Sequence, residues 1–202
     1  MAHGMKDGTK TWINELNSIY EKNSYDGIVS SVDWSAYSLN TFRCAPYGKR
    51  IGQRVGESIA KNTELKSLHL ISHSCGGFVI YGICETIRKI RPEISVQTTY
   101  LDPVSIYGIS RNYGLKHFGS CADYSEAYID TGDHIPGSNQ LLPLTHTYDV
   151  SKVRMRIAPE YPPHNWPTEY YRQLVRENIA PDLRFNPTLK EKKPAGILEI
   201  VD

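Results

Sequence analysis

What the sequence lacks narrows the field first. No apolar run approaches the roughly 18–20 residues that a membrane-spanning helix needs, so no transmembrane segment is expected. Neither sign of charge dominates: 23 Lys+Arg against 22 Asp+Glu leave a formal net charge of +1. A basic face is the usual footprint of nucleic-acid or anionic-membrane binding, and this balance gives no reason to expect either partner. The four cysteines, Cys44, Cys75, Cys84 and Cys121, form no C-x-x-C pair and have no histidine at zinc-ligand spacing, so no metal site is expected. Their even number allows two disulfides without requiring them. Cys84 sits inside an apolar helical pattern and is expected as a buried free thiol. Glycine at 15 and proline at 12 are ordinary, which removes collagen-like and low-complexity classes. The opening residues, Met1-Ala2-His3-Gly4-Met5, lack the basic-then-apolar pattern of a signal peptide.

What is there is enough length for one domain, taken as residues 1–202. Trp12, Leu16, Ile19 and Tyr20 stand at helical spacing over residues 10–21. A β-branched run at 28–32 predicts a strand ending at Asp33-Trp34, and 35–46 reads as loop. Over 47–62, Ile51, Val55 and Ile59 predict a second amphipathic helix. Residues 66–72 predict a buried strand and 78–90 a helix, stopped by Arg91-Pro92. Strands follow at 96–101 and 124–129, ending in Asp102-Pro103 and Asp130-Thr131. Residues 132–163 show no long periodic segment, with a short strand at 153–157. A helix over 168–178, an irregular stretch over 181–194 and an apolar run at 196–201 complete the chain. Helices alternating with short apolar strands predict an α/β fold, a mostly parallel sheet covered on both faces.

The strongest local signal is Ser72-His73-Ser74-Cys75-Gly76-Gly77, set between a buried strand and a helix. Such a turn lifts a serine hydroxyl above the sheet edge, and the helix start favours developing negative charge there. A serine is a weak nucleophile at neutral pH and needs a base, itself oriented by a third group. Asp102 closes the next strand and is the natural acid; Asp130, at the following strand end, is its competitor. Among seven histidines, His69 reads as a core residue, His73 as pointing away along the turn, and His117, His134 and His146 as loop residues. His164 follows the acid in the chain and precedes a helix, so it is the candidate base, with His146 the fallback.

In order along the chain, these segments resemble the catalytic domain of the pancreatic-type lipase family, including its phospholipases A1, within the α/β-hydrolase fold. His3-Gly4-Met5 and Trp12 resemble the family's His-Gly-aromatic oxyanion segment and the tryptophan after it. Val32-Asp33-Trp34 resembles its "VDW" strand end, and Ile71 to Gly77 its "IGHSLGG" elbow. Leu101-Asp102-Pro103 resembles "LDPA", residues 122–131 resemble "ADFVDVIHTD", and His146-x-x-Asp149 resembles "GHLDF". His164 with Tyr170-Tyr171 resembles "NHxRSxxYY". The resemblance implies a serine carboxylic-ester hydrolase: Ser74 as nucleophile, Asp102 as orienting acid, His164 as general acid/base, and the Met5 and Cys75 backbone N–H groups as oxyanion donors. It implies no cofactor, a small-molecule ester or lipid as substrate, a secreted setting, and structural rather than catalytic roles for Asp130 and His146.

Departures from the pattern carry expectations of their own. The segment 131–164 is short and free of cysteine, so a minimal lid or none is expected; Ile135, Leu141, Leu142 and Leu144 are candidates for an acyl pocket. The family's strand leading into His-Gly is a central one, and this chain starts after it. An empty slot would strand backbone groups inside the sheet. Either the chain is a fragment or another segment fills the slot, and residues 196–202 are the expected candidate, from the same chain or swapped from a partner in a homodimer.

Overall fold

The computed structural model describes every residue except 24, 26, 41 and 178–187. One sheet holds β1 (Ser67–His73), β2 (Ser95–Leu101), β3 (Tyr124–Ile129), β4 (His146–Asp149) and β5 (Leu198–Ile200), in that spatial order and all parallel. The helices are α1 (Trp12–Lys22), α2 (Cys44–Ile59), α3 (Gly76–Ile90), α4 (Tyr113–His117), α5 (Ser151–Ile157), α6 (Trp166–Arg176) and α7 (Thr188–Lys192). Strand side chains alternate between two cores. Leu70, Val96, Tyr100 and Ala127 pack with α2 and α3, while Ile71, Leu101 and Tyr128 pack with α1 and α6. Burial on both faces is why these strands carry apolar residues on both, although β2 and β3 also bury the polar Gln97, Thr98, Thr99, Ser125 and Glu126.

Helix α2 is amphipathic as expected, with Ile51, Val55 and Ile59 packed against the core, but its closest contact with α3 is made through its smallest residues. Its buried positions are Cys44, Ala45, Gly48, Gly52 and Gly56, and the three larger residues are only partly buried. A Cβ on Gly52 would stand 2.0 Å from the Val79 carbonyl oxygen, and one on Gly82 2.3 Å from that of Lys49. The contact is backbone on backbone, and an apolar pattern built on side-chain size does not register it.

Four further expectations are corrected. Residues 28–32 form no strand: Val32 makes a single bridge to Ala2, and Ile28 is 93% exposed. With one residue as partner there is no ladder to extend. Residues 153–157 belong to α5; the strand lies earlier, as β4, and Asp149 at its end accepts the Ser151 N–H (3.0 Å) that opens the helix. Of the stretch expected to be irregular, 181–187 lie outside the described residues and Thr188–Lys192 is helical. Cys84 is buried but not free, because α3 brings it to Cys121 with Cα atoms 5.8 Å apart; Cys44 likewise pairs with Cys75.

The C-terminal run does not enter the central slot. β5 forms the edge beside β4, with Val201 N–H bonded to Asp149 O (2.9 Å), at the opposite end from β1. Leu198 and Ile200 stay partly exposed, as an edge allows, and Glu199 ties back to Lys193 and His146. The position beside β1 is taken by Ala2, bridged to both Ser72 and Val32. Because β5 pairs within its own chain, the basis for a strand-swapped homodimer falls away. Among the described residues, no helix is long and apolar enough to cross a membrane.

Candidate active site

Parallel pairing sets the ends of β1, β2 and β3 side by side: His73 opposes Leu101, and Leu101 opposes Tyr128. The residues just past those ends are Ser74, Asp102 and Asp130. Ser74 has φ 55°, a left-handed conformation that costs a non-glycine residue energy unless its surroundings hold it. They do: Ser74 N–H donates to Leu101 O (3.0 Å), and Gly77 N–H to Ser74 O (3.1 Å). Gly76 is required here, since a Cβ would sit 2.6 Å from the carbonyl oxygens of both Ala2 and His3. Asp102, fully buried, is also left-handed at φ 43°.

His164 lies in the turn Pro163–Asn165 that leads into α6. Its Nε2 is 2.9 Å from Ser74 Oγ, and its Nδ1 is 3.0 Å from Asp102 Oδ2. The sequence-predicted serine, acid and histidine are thus brought together. Nδ1 meets a further carboxylate that sequence reasoning missed, Asp133 Oδ2 at 2.9 Å. With carboxylates on Nδ1 the ring proton sits there, leaving Nε2 free to accept the Ser74 hydroxyl proton. Asp133 is itself held by the Ser138 hydroxyl and the Ile135 N–H, and Asn139 N–H reaches Asp102 Oδ1 at 3.4 Å. Nothing in D-H-I-P-G-S-N marks that aspartate, four residues past the end of β3, as a partner of His164.

The competitors go elsewhere. Asp130 is buried against Arg154, whose Nε lies 2.5 Å from Oδ2. His146 bonds Pro194 O and Glu199, and His69 bonds Thr99 Oγ1. His117 faces Tyr81 and His134 is exposed. His73 does not point away: its ring lies 4.7 Å from that of His164, and its Nε2–H donates to His164 O (2.9 Å).

Charges follow from burial and partners. Burial pushes Asp102 up to about 7 against the pull of His164. Burial would raise Asp133 too, but the Ser138 hydroxyl and its other partners outweigh it and hold it below the usual carboxylate value. Burial would lower His164, yet Asp102 and Asp133 outweigh that and hold it above 6.5. Burial first, then the neighbouring His164, push His73 down to about 3, so it stays neutral.

The candidate oxyanion donors flank the serine. His3 Nε2 accepts the Trp34 N–H (3.2 Å), so its Nδ1–H donates to Gly4 O (2.9 Å). This fixes the Gly4–Met5 peptide, whose N–H points opposite to that carbonyl. Gly4 packs on the serine, a Cβ there meeting Ser74 Cβ at 3.0 Å. Among the described residues neither Met5 N–H nor Cys75 N–H donates a hydrogen bond, and both residues line the cavity at Ser74. That cavity, about 490 Å³, is walled by Ala45, Val104, Ile106, Ile135 and Pro136, with Phe42 at 87% exposure. Leu142 is in the core instead, and Leu141 and Leu144 do not line the cavity. Residues 132–145 carry neither helix nor strand, so this segment forms no helical lid.

Among the described residues, Asp102, Asp133 and His164 are also the group whose ligand atoms, all within 4.8 Å of one another, can hold a metal ion. Binding there would take the proton from Nδ1 and leave one on Nε2, facing Ser74. A bound cation and a base at Nε2 therefore exclude each other.

No protein-family model matches the chain, and no curated protein matches it. A solved structure does: a proposed hydrolase of the alpha/beta superfamily from Xanthomonas campestris pv. campestris. It has a TM-score of 0.52 and 10% identity, and the match covers 88% of this chain and 95% of that one. The fold is that of the α/β-hydrolases. In an α/β-hydrolase the elbow serine stands at the C-terminal edge of the parallel sheet, and Ser74 stands there.

Proposed function

We propose that the protein is a serine carboxylic-ester hydrolase. The observation that carries this reading is the hydrogen-bonded line from Ser74 Oγ through His164 to buried carboxylates, on a strained turn at the mouth of an apolar cavity. Ser74 Oγ attacks the ester carbonyl carbon as its proton passes to His164 Nε2. The tetrahedral oxygen gains the N–H groups of Cys75 and Met5, each worth about 3–4 kcal/mol of barrier. The carbon–alkoxy bond then breaks, and the Nε2 proton leaves with the alcohol. Water repeats the sequence in reverse on the acyl-enzyme, returning its proton through His164 and releasing the acid.

Asp102 and Asp133 are positioning residues in this scheme. Both hold Nδ1–H, so the tautomer that leaves Nε2 basic does not depend on one carboxylate. Asp102 stands directly after the nucleophile strand's neighbour, where the lipase-type resemblance puts the acid. Two disulfides fit an oxidising compartment.

The apolar cavity also favours a lipid-directed variant, a triacylglycerol lipase or phospholipase A1. A chromogenic ester series separates the readings. Preference for short acyl chains supports an esterase, and preference for long ones a lipase. The wild type behaving like Ser74→Ala on every ester would leave a hydrolase-like binding protein.

A further inference from the structure

A second recess, about 240 Å³, adjoins the apolar cavity and shares Asp7, His73 and Asn165 with it. Its character is opposite: Trp12, Glu15, Thr168 and Arg172 complete most of its wall. Three side chains that line it hold buried polar atoms with no partner: the Trp12 Nε1–H, the Arg172 Nε–H and His73 Nδ1. Each of these residues is only 6% exposed. The other two tryptophans use their indole N–H, Trp34 on His3 O (2.9 Å) and Trp166 on Val150 O (3.0 Å). Native structures leave few buried donors unpaired, and a cluster of them asks for a ligand.

The chemistry of that ligand follows from the wall. His73 Nε2 donates to a carbonyl, so its unpaired Nδ1 is an acceptor. Two donors, the His73 acceptor and the Thr168 Oγ1, which donates to Asn165 O and can still accept, suit a group that donates and accepts by turns. An anion is disfavoured: the Arg172 charge is already matched by Glu15 and Glu169, and the Asp7 and Glu15 carboxylates line the same space. The position is telling as well. His164 hands its proton to the departing alcohol, and Asn165 and His73 flank His164 on the side of this recess.

We infer that the polar recess binds the alcohol half of the ester, and that this alcohol is neutral and polyhydroxylated, carbohydrate-like in its hydrogen bonding. The inference rests on the ester-hydrolase reading. The substrate then spans both spaces, its acyl chain in the apolar cavity and its hydroxyls on Trp12, His73 and Arg172.

Two measurements test it. Methyl glucoside titrated into ¹⁵N-labelled protein should shift the Trp12 indole N–H signal saturably, leaving those of Trp34 and Trp166 in place; Trp12→Phe assigns the signal. No shift, or equal shifts of all three, overturns the site. In kinetics, an acyl glucoside should exceed the ethyl ester of the same acid by about tenfold or more in kcat/KM. Trp12→Phe should cut that ratio by roughly 3–10-fold. Equal turnover of the two esters overturns the polyol assignment. Turnover of neither ester defeats the hydrolase reading and with it the leaving-group role, while the indole titration still reports sugar binding without catalysis.

Discussion

The two halves of the site are built by different means. The elbow half, β1 through Ser74 into α3, is locked by backbone. Gly76 admits the Ala2 and His3 carbonyls, Gly52 and Gly82 let α2 and α3 touch main chain to main chain, and a disulfide joins Cys44 to Cys75. The opposite half, which delivers His164 and Asp133, is held by side chains reaching across loops: Ser138 to Asp133, Asn139 to Asp102, Arg154 to Asp130. On the ester-hydrolase reading, the contrast teaches that the proposed nucleophile is positioned by what cannot be larger, and the proposed base by what cannot be apolar. Substitutions should therefore fail differently in each half.

The largest effect is expected on the loop half, in catalysis. Asp102→Asn with Asp133→Asn together should lower kcat by about 10⁴-fold, the loss seen when a base loses its tautomer-fixing carboxylate. Each single change should cost far less, because the other carboxylate still holds Nδ1–H, so the two losses should multiply to much less than the double loss. A full loss from Asp102→Asn alone would mean that Asp133 only braces its loop.

On the elbow half the expected effect is on stability. Gly52→Ala drives a Cβ to 2.0 Å from the Val79 carbonyl oxygen, and backbone on both sides has little room to yield. Denaturant unfolding should show a loss of about 3 kcal/mol or more. Ile135→Ala, at a partly exposed loop position of the cavity wall, should cost less than about 1 kcal/mol. Similar losses at the two positions would erase the distinction.

Smaller shifts are read by pH. The base must be neutral, so kcat/KM should rise with pH along a limb centred above 6.5, because two carboxylates stabilise the charged ring. Removing one charge in Asp133→Asn should move that limb to lower pH. Among the described residues, the groups in contact with the ring are Asp102, Asp133, the Ser74 hydroxyl and the neutral His73, so Asp102 is the carboxylate that remains on Nδ1 in Asp133→Asn.

A second pH effect lies outside both halves. Glu126 is fully buried among Thr99, Tyr124 and Tyr128, and burial pushes it up to about 7 from 4.5. A raised carboxyl contributes stability below its unfolded value that is lost as pH rises through the folded one. Stability should fall by order 1–3 kcal/mol between about pH 4.5 and 7, and Glu126→Gln should flatten that fall in melting curves.

The same division decides what could be read from sequence. Strands β1, β2 and β3 were legible as short β-prone runs ending in Ser74, Asp102 and Asp130, and the polar residues they bury, such as Thr98 with Ser125 and Thr99 with Glu126, pair inside the sheet. Order along the chain picked His164 out of seven histidines. Asp133 was not legible: its role depends on where a loop without periodicity folds back, and Ser138 and Asn139 give no spacing to count. The α2 face was legible only in part, since Ile51, Val55 and Ile59 pack on the core as expected but the glycines that make the closest contact carry no apolar signal. Residues 28–32 and 196–201 have strand-like composition, but pairing partners, which composition does not specify, left one with a single bridge and sent the other to the edge.

The most direct test of the ester-hydrolase reading is peptide mass spectrometry after treatment with an alkyl fluorophosphonate. One adduct on Ser74, absent from Ser74→Ala and formed far more slowly in His164→Ala, is the expected result. An unlabelled protein, or an adduct on any other residue, would contradict it.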